Sequence, residues 1–109
     1  RYRYIVNLTP EATFQNVETK SPLFKEWKSL AETDSHAKAM TTKYQHRPAI
    51  ELYDVKNDPY CMKNLAEDAK QASTISRLDK ELKRWMKDCG DEGQPTEMRA
   101  FEHMPGKRK

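Results

Sequence analysis

The stretch Arg47-Pro48-Ala49-Ile50-Glu51-Leu52-Tyr53-Asp54-Val55-Lys56-Asn57-Asp58-Pro59, followed by Lys63-Asn64-Leu65-Ala66, decides how this chain folds. Residues 49 to 55 alternate, with Ile50, Leu52 and Asp54 on one side and Glu51, Tyr53 and Val55 on the other, which is the period of a strand. Lys56-Asn57-Asp58-Pro59 reads as a turn, because Asn and Asp side chains bond their own backbone and Pro fixes the local direction. Pro48 ends any helix that arrives from the N-terminal side.

Working outward, the clearest helix runs from Asp68 or Ala69 to Cys89. Ala72, Ile75, Leu78, Leu82, Trp85 and Met86 form one apolar stripe among Lys, Arg, Asp and Glu, and Gly90 is suited to close it. Beyond it, residues 91 to 109 carry Gly, Pro and charges with only Met98, Phe101 and Met104 as anchors, so an extended or disordered tail is expected. On the N-terminal side, Ser21 before Pro22 is a helix start, since Ser caps the free amides and Pro suits the first helical position. Leu23, Phe24, Trp27, Leu30 and Ala31 mark its apolar face. Asp34-Ser35 offers a second cap, after which Ala37, Met40, Thr41 and Tyr44 continue at helical spacing to about Gln45. Residues 10 to 21 have no period and read as a loop lying over a surface. Tyr2, Tyr4, Val6 and Leu8 alternate with Arg3, Ile5 and Asn7, a second strand closed by Thr9-Pro10. The predicted fold class is α+β: a small antiparallel sheet with helices packed on one face and a long C-terminal amphipathic helix. Residues 1 to 90 form the folded part and 91 to 109 the tail.

Composition sets bounds on function. Of 109 residues 36% are hydrophobic and 34% charged, with a mean hydropathy of −1.07. That balance leans towards disorder, yet two Trp, five Tyr and three Phe sit in periodic segments and have to be buried against something. A domain that docks on a larger body reconciles the two. The net charge is +3, with both signs spread along the chain, which is not the footprint of a nucleic-acid partner. The one basic cluster is Lys107-Arg108-Lys109. No apolar run approaches the roughly 20 residues that span a bilayer, so no membrane partner is expected. The chain opens at Arg1-Tyr2-Arg3-Tyr4-Ile5, without Met, as though cut from something longer.

Candidate chemistry is sparse. Cys61 and Cys89 lack metal-ligand spacing; they either pair or remain two free thiols. His36, His46 and His103 lie in segments that suggest no nucleophile-and-base set. Asp54 and Asp58 flank the turn without the Gly of a calcium loop, and cap hydrogen bonding explains them more simply. With glycine only at positions 90, 93 and 106 no phosphate-cradling loop exists. Asn7-Leu8-Thr9 fits a glycosylation acceptor, a pattern common by chance. The stripes Phe24, Trp27, Leu30 and Ile75, Leu78, Leu82, Trp85 are at core spacing, with a partner-binding groove as the lesser alternative. His46-Arg47 is the candidate substrate-binding pair, placed where the chain changes direction; a planar guanidinium donates two parallel bonds to a sulfate or carboxylate.

The stretch from Arg47 to Pro59 with Lys63-Asn64-Leu65-Ala66 resembles the C-terminal signature of the sulfatase family, in the alkaline-phosphatase-like superfamily. There a Glu-Leu-Tyr-Asp strand turns at Asn-Asp-Pro, and an Asn-Leu-Ala segment leads into a long amphipathic helix. Arg1 to Ile5 is similar to the family's preceding strand, and the spacing between the strands resembles a sulfamidase-like or arylsulfatase-like bacterial subgroup. The resemblance covers roughly residues 1 to 90. It implies a parent sulfuric ester hydrolase acting on sulfated carbohydrate, periplasmic or secreted. The parent's formylglycine, made in a Cys/Ser-x-Pro-x-Arg motif, and its calcium ion belong to an upstream catalytic domain. Neither Cys61 nor Cys89 is followed by x-Pro-x-Arg, so no catalytic residue and no cofactor is assigned to this chain. Its implied partners are that catalytic domain and the sulfated substrate, whose cleft it helps to shape. The alternative is a free-standing, non-catalytic module that binds anionic glycans through His46, Arg47 and the basic tail.

Overall fold

Alternation at both ends of the first 55 residues produces the pairing that organises the chain. In the computed structural model, which describes residues 1–103 and 105, strand β1 (Tyr2–Val6) pairs antiparallel with β2 (Ile50–Asp54). The register sets Tyr4 opposite Leu52 and Arg3 opposite Tyr53. Two compact units result: residues 1–8 with 50–109, and the intervening residues 9–49. The fold class is α+β, as the sequence predicts, with a two-stranded sheet.

In the first unit the sheet is narrow but both sides of β2 are occupied. β1 lines one side of β2, and the segment after the turn returns along the other, where the Leu65 N–H donates to the Leu52 carbonyl at 2.8 Å. An edge strand left open would invite pairing with another chain. Asn64 completes the cover: its Oδ1 accepts from the Leu52 N–H at 3.0 Å and its Nδ2 donates to the Ile50 carbonyl at 3.2 Å. Side-chain alternation in β2 suggests one covered face; instead Glu51, Leu52 and Tyr53 are consecutively buried, at 1%, 0% and 2% exposure. Full burial of Leu52 contributes on the order of 1.5–3 kcal/mol.

The long helix forms as its pattern indicates. Asp68 accepts from the Lys70 N–H, a single 3-10 turn follows at Ala69–Gln71, and α3 spans Ala72–Cys89. It stops at Gly90, whose φ of +72° lies in the left-handed region where a side chain is strained. α3 lies against β1 and is tied to it where the Tyr4 hydroxyl donates to Asp79 Oδ1 at 3.0 Å. None of its residues is fully buried; Ile75, Leu78, Leu82 and Met86 are half-buried and Trp85 is exposed. The apolar stripe is present but not enclosed.

Residues 91–103 depart from the expected extended or disordered tail. Gly93, at φ +79°, sits close to Met86 and Leu8 and precedes a short helix α4 (Gln94–Met98), followed by a 3-10 turn at Ala100–His103. Pro95 stands in the first turn of α4, where its ring-fixed φ suits a helix start. Asp91 accepts from the Gly93 N–H, and Thr96 from the Glu92 N–H. Local capping, which is hard to see in a charged segment, explains the difference. Met104, Gly106 and the basic cluster Lys107-Arg108-Lys109 lie outside the described residues.

The second unit is a helical pair. Ser21 Oγ accepts from the Phe24 N–H and Pro22 opens α1 (Pro22–Leu30); Asp34 accepts from the His36 and Ala37 N–H groups and opens α2 (Ser35–Gln45). Both starts match the sequence reading. Residues 10–21 are not wholly irregular: Asn16 and Thr19 bond each other's backbone and side chains reciprocally, closing a 3-10 turn at Glu18–Lys20. Phe24 is the buried centre, with ring centroids 5.6 Å from Tyr44 and 6.3 Å from Trp27, while Phe14 stands edge-on to Tyr44 at 5.7 Å. Buried Gln45 is satisfied by Lys28 Nζ at 3.0 Å and, through its backbone carbonyl, by the Phe14 N–H at 2.7 Å.

Candidate functional site

His46 and Arg47 follow the last turn of α2. His46 is the C-terminal cap, in extended backbone, with its N–H donating to the Thr42 carbonyl at 2.8 Å and its side chain exposed. Arg47 is half-buried and its Nη1 donates to the Lys43 carbonyl at 2.8 Å. A guanidinium placed there satisfies one of the carbonyls a helix leaves open and complements the negative end of its dipole. Pro48 then fixes the exit towards β2. The residue types that mark this pair in the sequence thus have a structural occupation, with the Arg47 guanidinium bonded to backbone.

Three carboxylates organise the corner between β2 and α3. Glu51, buried in the strand, accepts from the Tyr53 hydroxyl at 2.5 Å and from Asn7 Nδ2 at 2.7 Å. Burial of a carboxylate is costly unless such donors surround it. The same bond engages the amide that the Asn7-Leu8-Thr9 pattern would need free. Asp54 accepts from Arg1 Nε at 3.2 Å and Nη2 at 2.9 Å, a two-point pairing, and from Asn57 Nδ2 at 2.9 Å. The Arg1 hydrogen bond, with Asn57 and the charge attraction, holds the Asp54 carboxyl well below the usual range despite some desolvation. Asp58 accepts from the Met62 and Lys63 N–H groups at 3.0 and 2.9 Å. Both turn aspartates are therefore engaged in building the corner.

That engagement bears on whether Asp54 and Asp58 suit a calcium ion. Asp54 and Asp58 direct oxygens at a guanidinium and at backbone N–H groups, and among the described residues no group of three or more His, Cys, Asp or Glu is placed to hold a metal. These residues do not make a cation site. Nor do they assemble a nucleophile: His36 and His46 stand at opposite ends of α2, and the His103 side chain is outside what the structure describes. No disulfide joins Cys61 and Cys89. Cys61 is half-buried at φ +54° with Arg3 Nη1 3.7 Å from its sulfur, and Cys89 is exposed at the end of α3.

A partner-binding groove on the α1 face was the lesser alternative in sequence. Leu23, Trp27 and Leu30 on α1 were expected to be core; they are 54%, 50% and 51% exposed, and only Phe24 of that face is buried. With Met40, Thr41 and Tyr44 of α2 they wall an apolar groove of about 630 Å³. Helical spacing identifies which side chains share a face, but not whether another element covers it.

Comparison with known proteins supplies a relationship. Over 101 residues, 89% of this chain, the sequence is 32% identical to an ulvan-active sulfatase of Formosa agariphila. A second ulvan-active sulfatase of the same organism is 32% identical over 91 residues, 84% of this chain. The chain spans only 17% and 16% of those proteins' lengths. No family model matches the sequence, and no solved structure matches it. The chain is thus related to one segment of these sulfatases, about a sixth of each.

Proposed function

We propose that this chain is the C-terminal part of a sulfatase acting on sulfated carbohydrate, that it packs on the catalytic domain, and that it borders the substrate cleft without supplying the chemistry. The observation that carries the reading is the match of nearly the whole chain to about a sixth of two sulfatases. Support comes from the β2 corner, where the stretch resembling the family signature is a tightly bonded strand, turn and return. Further support comes from composition, since only Phe24, Leu52 and Tyr53 are buried hydrophobic residues among those described. So small a core suits a segment that completes itself against a larger body. Formylglycine and calcium enter this reading only through the parent enzyme, and the periplasmic or secreted setting comes with it.

In this reading the chain contributes specificity. Transition-state chemistry requires donors aimed at the reacting group; a residue at the cleft margin instead binds remote parts of the substrate. Arg47, anchored to the end of α2 by the Lys43 carbonyl, is the group suited to a second sulfate or uronate carboxylate of a polymer. Steady-state kinetics of the longer sulfatase polypeptide on a sulfated polysaccharide and on a small aryl sulfate test this. Arg47→Ala raises KM for the polymer several-fold and leaves kcat on the aryl sulfate within twofold. Equal kinetics on both substrates would remove Arg47 from the cleft, and a collapse of kcat on both would place it in the chemistry.

A further inference from the structure

We propose that the apolar groove between α1 and α2 is the docking site for one amphipathic helix from the remaining part of the sulfatase polypeptide, an inference that rests on the reading above. Leu23, Trp27 and Leu30 recur along α1 at spacings of four and three, and Met40 and Tyr44 along α2 at four, so two apolar rows face one channel. Each of the large α1 residues is about half exposed. Contiguous apolar surface of this kind is retained where something covers it.

The chemistry of the walls selects the occupant. Glu18, His36 and Tyr44 are the titratable residues among the lining, which is otherwise dominated by aliphatic, aromatic and sulfur-bearing side chains. A sugar would bring hydroxyls with few partners, and an extended peptide would bring unpaired N–H and C=O groups, each costly to bury. A helix arrives with its backbone already bonded and presents apolar side chains at matching intervals. The groove is therefore separate in chemistry from any polar substrate margin at Arg47.

The remaining polypeptide is favoured over a second copy by the number of uncovered faces. The second unit exposes the α1–α2 groove, and the first, taken by itself, leaves Trp85 and the half-buried stripe of α3 unenclosed. A two-fold pairing covers one patch with itself. Two different faces call for a larger body, and about five-sixths of the first relative's length lies outside the matched segment.

The test co-expresses the 109-residue chain with the Formosa sulfatase from which the matched segment has been deleted. It compares wild type, Leu30→Glu in the groove, and Lys25→Ser on α1 outside the lining. Copurification of wild type and Lys25→Ser in 1:1 ratio, with at least tenfold less Leu30→Glu, is the expected result. Equal capture of Leu30→Glu overturns the groove while leaving the sulfatase reading intact; a soluble deletion protein that captures no form overturns the reading as well. Should the deletion protein be insoluble, overlapping peptides from it are titrated against the chain. An amphipathic helical peptide should then shift Trp27 emission to the blue, and Leu30→Glu should abolish the shift. No responding peptide overturns the proposal. Sedimentation of the chain alone closes the remaining route: a wild-type dimer that Leu30→Glu dissociates would assign the groove to a second copy.

Discussion

Replacing Asn64 by Ala should destabilise the first unit by about 2–4 kcal/mol, although Asn64 itself is exposed. Its side chain substitutes for a third strand beside β2, accepting from Leu52 and Ala66 N–H groups at 3.0 Å each and donating to the Ile50 carbonyl at 3.2 Å. The three bonds are not equal. Leu52 has no exposed surface, so its abandoned N–H costs about 1–3 kcal/mol, whereas the other two, open to water, contribute roughly 0.5 kcal/mol each. Asn64→Asp separates these parts: it keeps both acceptor bonds and loses only the donation to Ile50, a loss of roughly 0.5 kcal/mol. Urea unfolding at neutral pH, followed by circular dichroism, measures both variants, with the denaturant slope unchanged if the native fold is retained. Asn64→Ala within 0.5 kcal/mol of wild type, or Asn64→Asp as harmful as Asn64→Ala, would refute the account of how this corner is held.

Other expectations concern the buried carboxylate, the helix end and pH. Tyr53→Phe removes the hydroxyl that donates to buried Glu51 and should cost about 1.5–3 kcal/mol by urea unfolding, as expected for a hydrogen bond to a charged group. Gly90→Ala meets no atom within 4 Å but must adopt φ +72°, so a loss of about 1 kcal/mol with an unchanged fold is expected. Asp79 is held below its ordinary 3.8, chiefly by the Lys83 hydrogen bond and then by Tyr4. Its contribution is therefore present above pH 3.8 and disappears as pH falls through the lowered value, and Asp79→Asn should flatten this acid limb. Tyr4, pushed up to about 12 by burial and by Asp79, stabilises below pH 10 and loses that contribution as pH rises towards 12, a limb absent in Tyr4→Phe.

Much of the architecture is legible because it is locally encoded. Ser21-Pro22, Asp34, Asp68 and Gly90 each act on neighbouring backbone groups, and their side chains bond as their types dictate. The turn at residues 56–59 is equally local. The face assignments of β2 were less readable: burial of Glu51 beside Leu52 depends on Asn7 and Tyr53, contacts that alternation does not encode. The α1 stripe has the opposite fault, since helical spacing marks Leu23, Trp27 and Leu30 as core although they are open. At the candidate site, the sequence singled out Arg47 for its planar fork, and the structure adds its anchorage to the Lys43 carbonyl. The α4 helix escaped notice because five residues with one Pro and one Met carry no period.

The central claim, that the chain belongs to a sulfatase's body but not to its reacting centre, is tested most directly by sulfate release. The chain alone and the longer sulfatase polypeptide are compared on a sulfated polysaccharide and on an aryl sulfate, with calcium present and at equal concentration. Release by the longer protein, with none above the uncatalysed rate from the chain alone, is the expected result. Turnover by the isolated chain would place catalytic groups within these 109 residues and contradict the account.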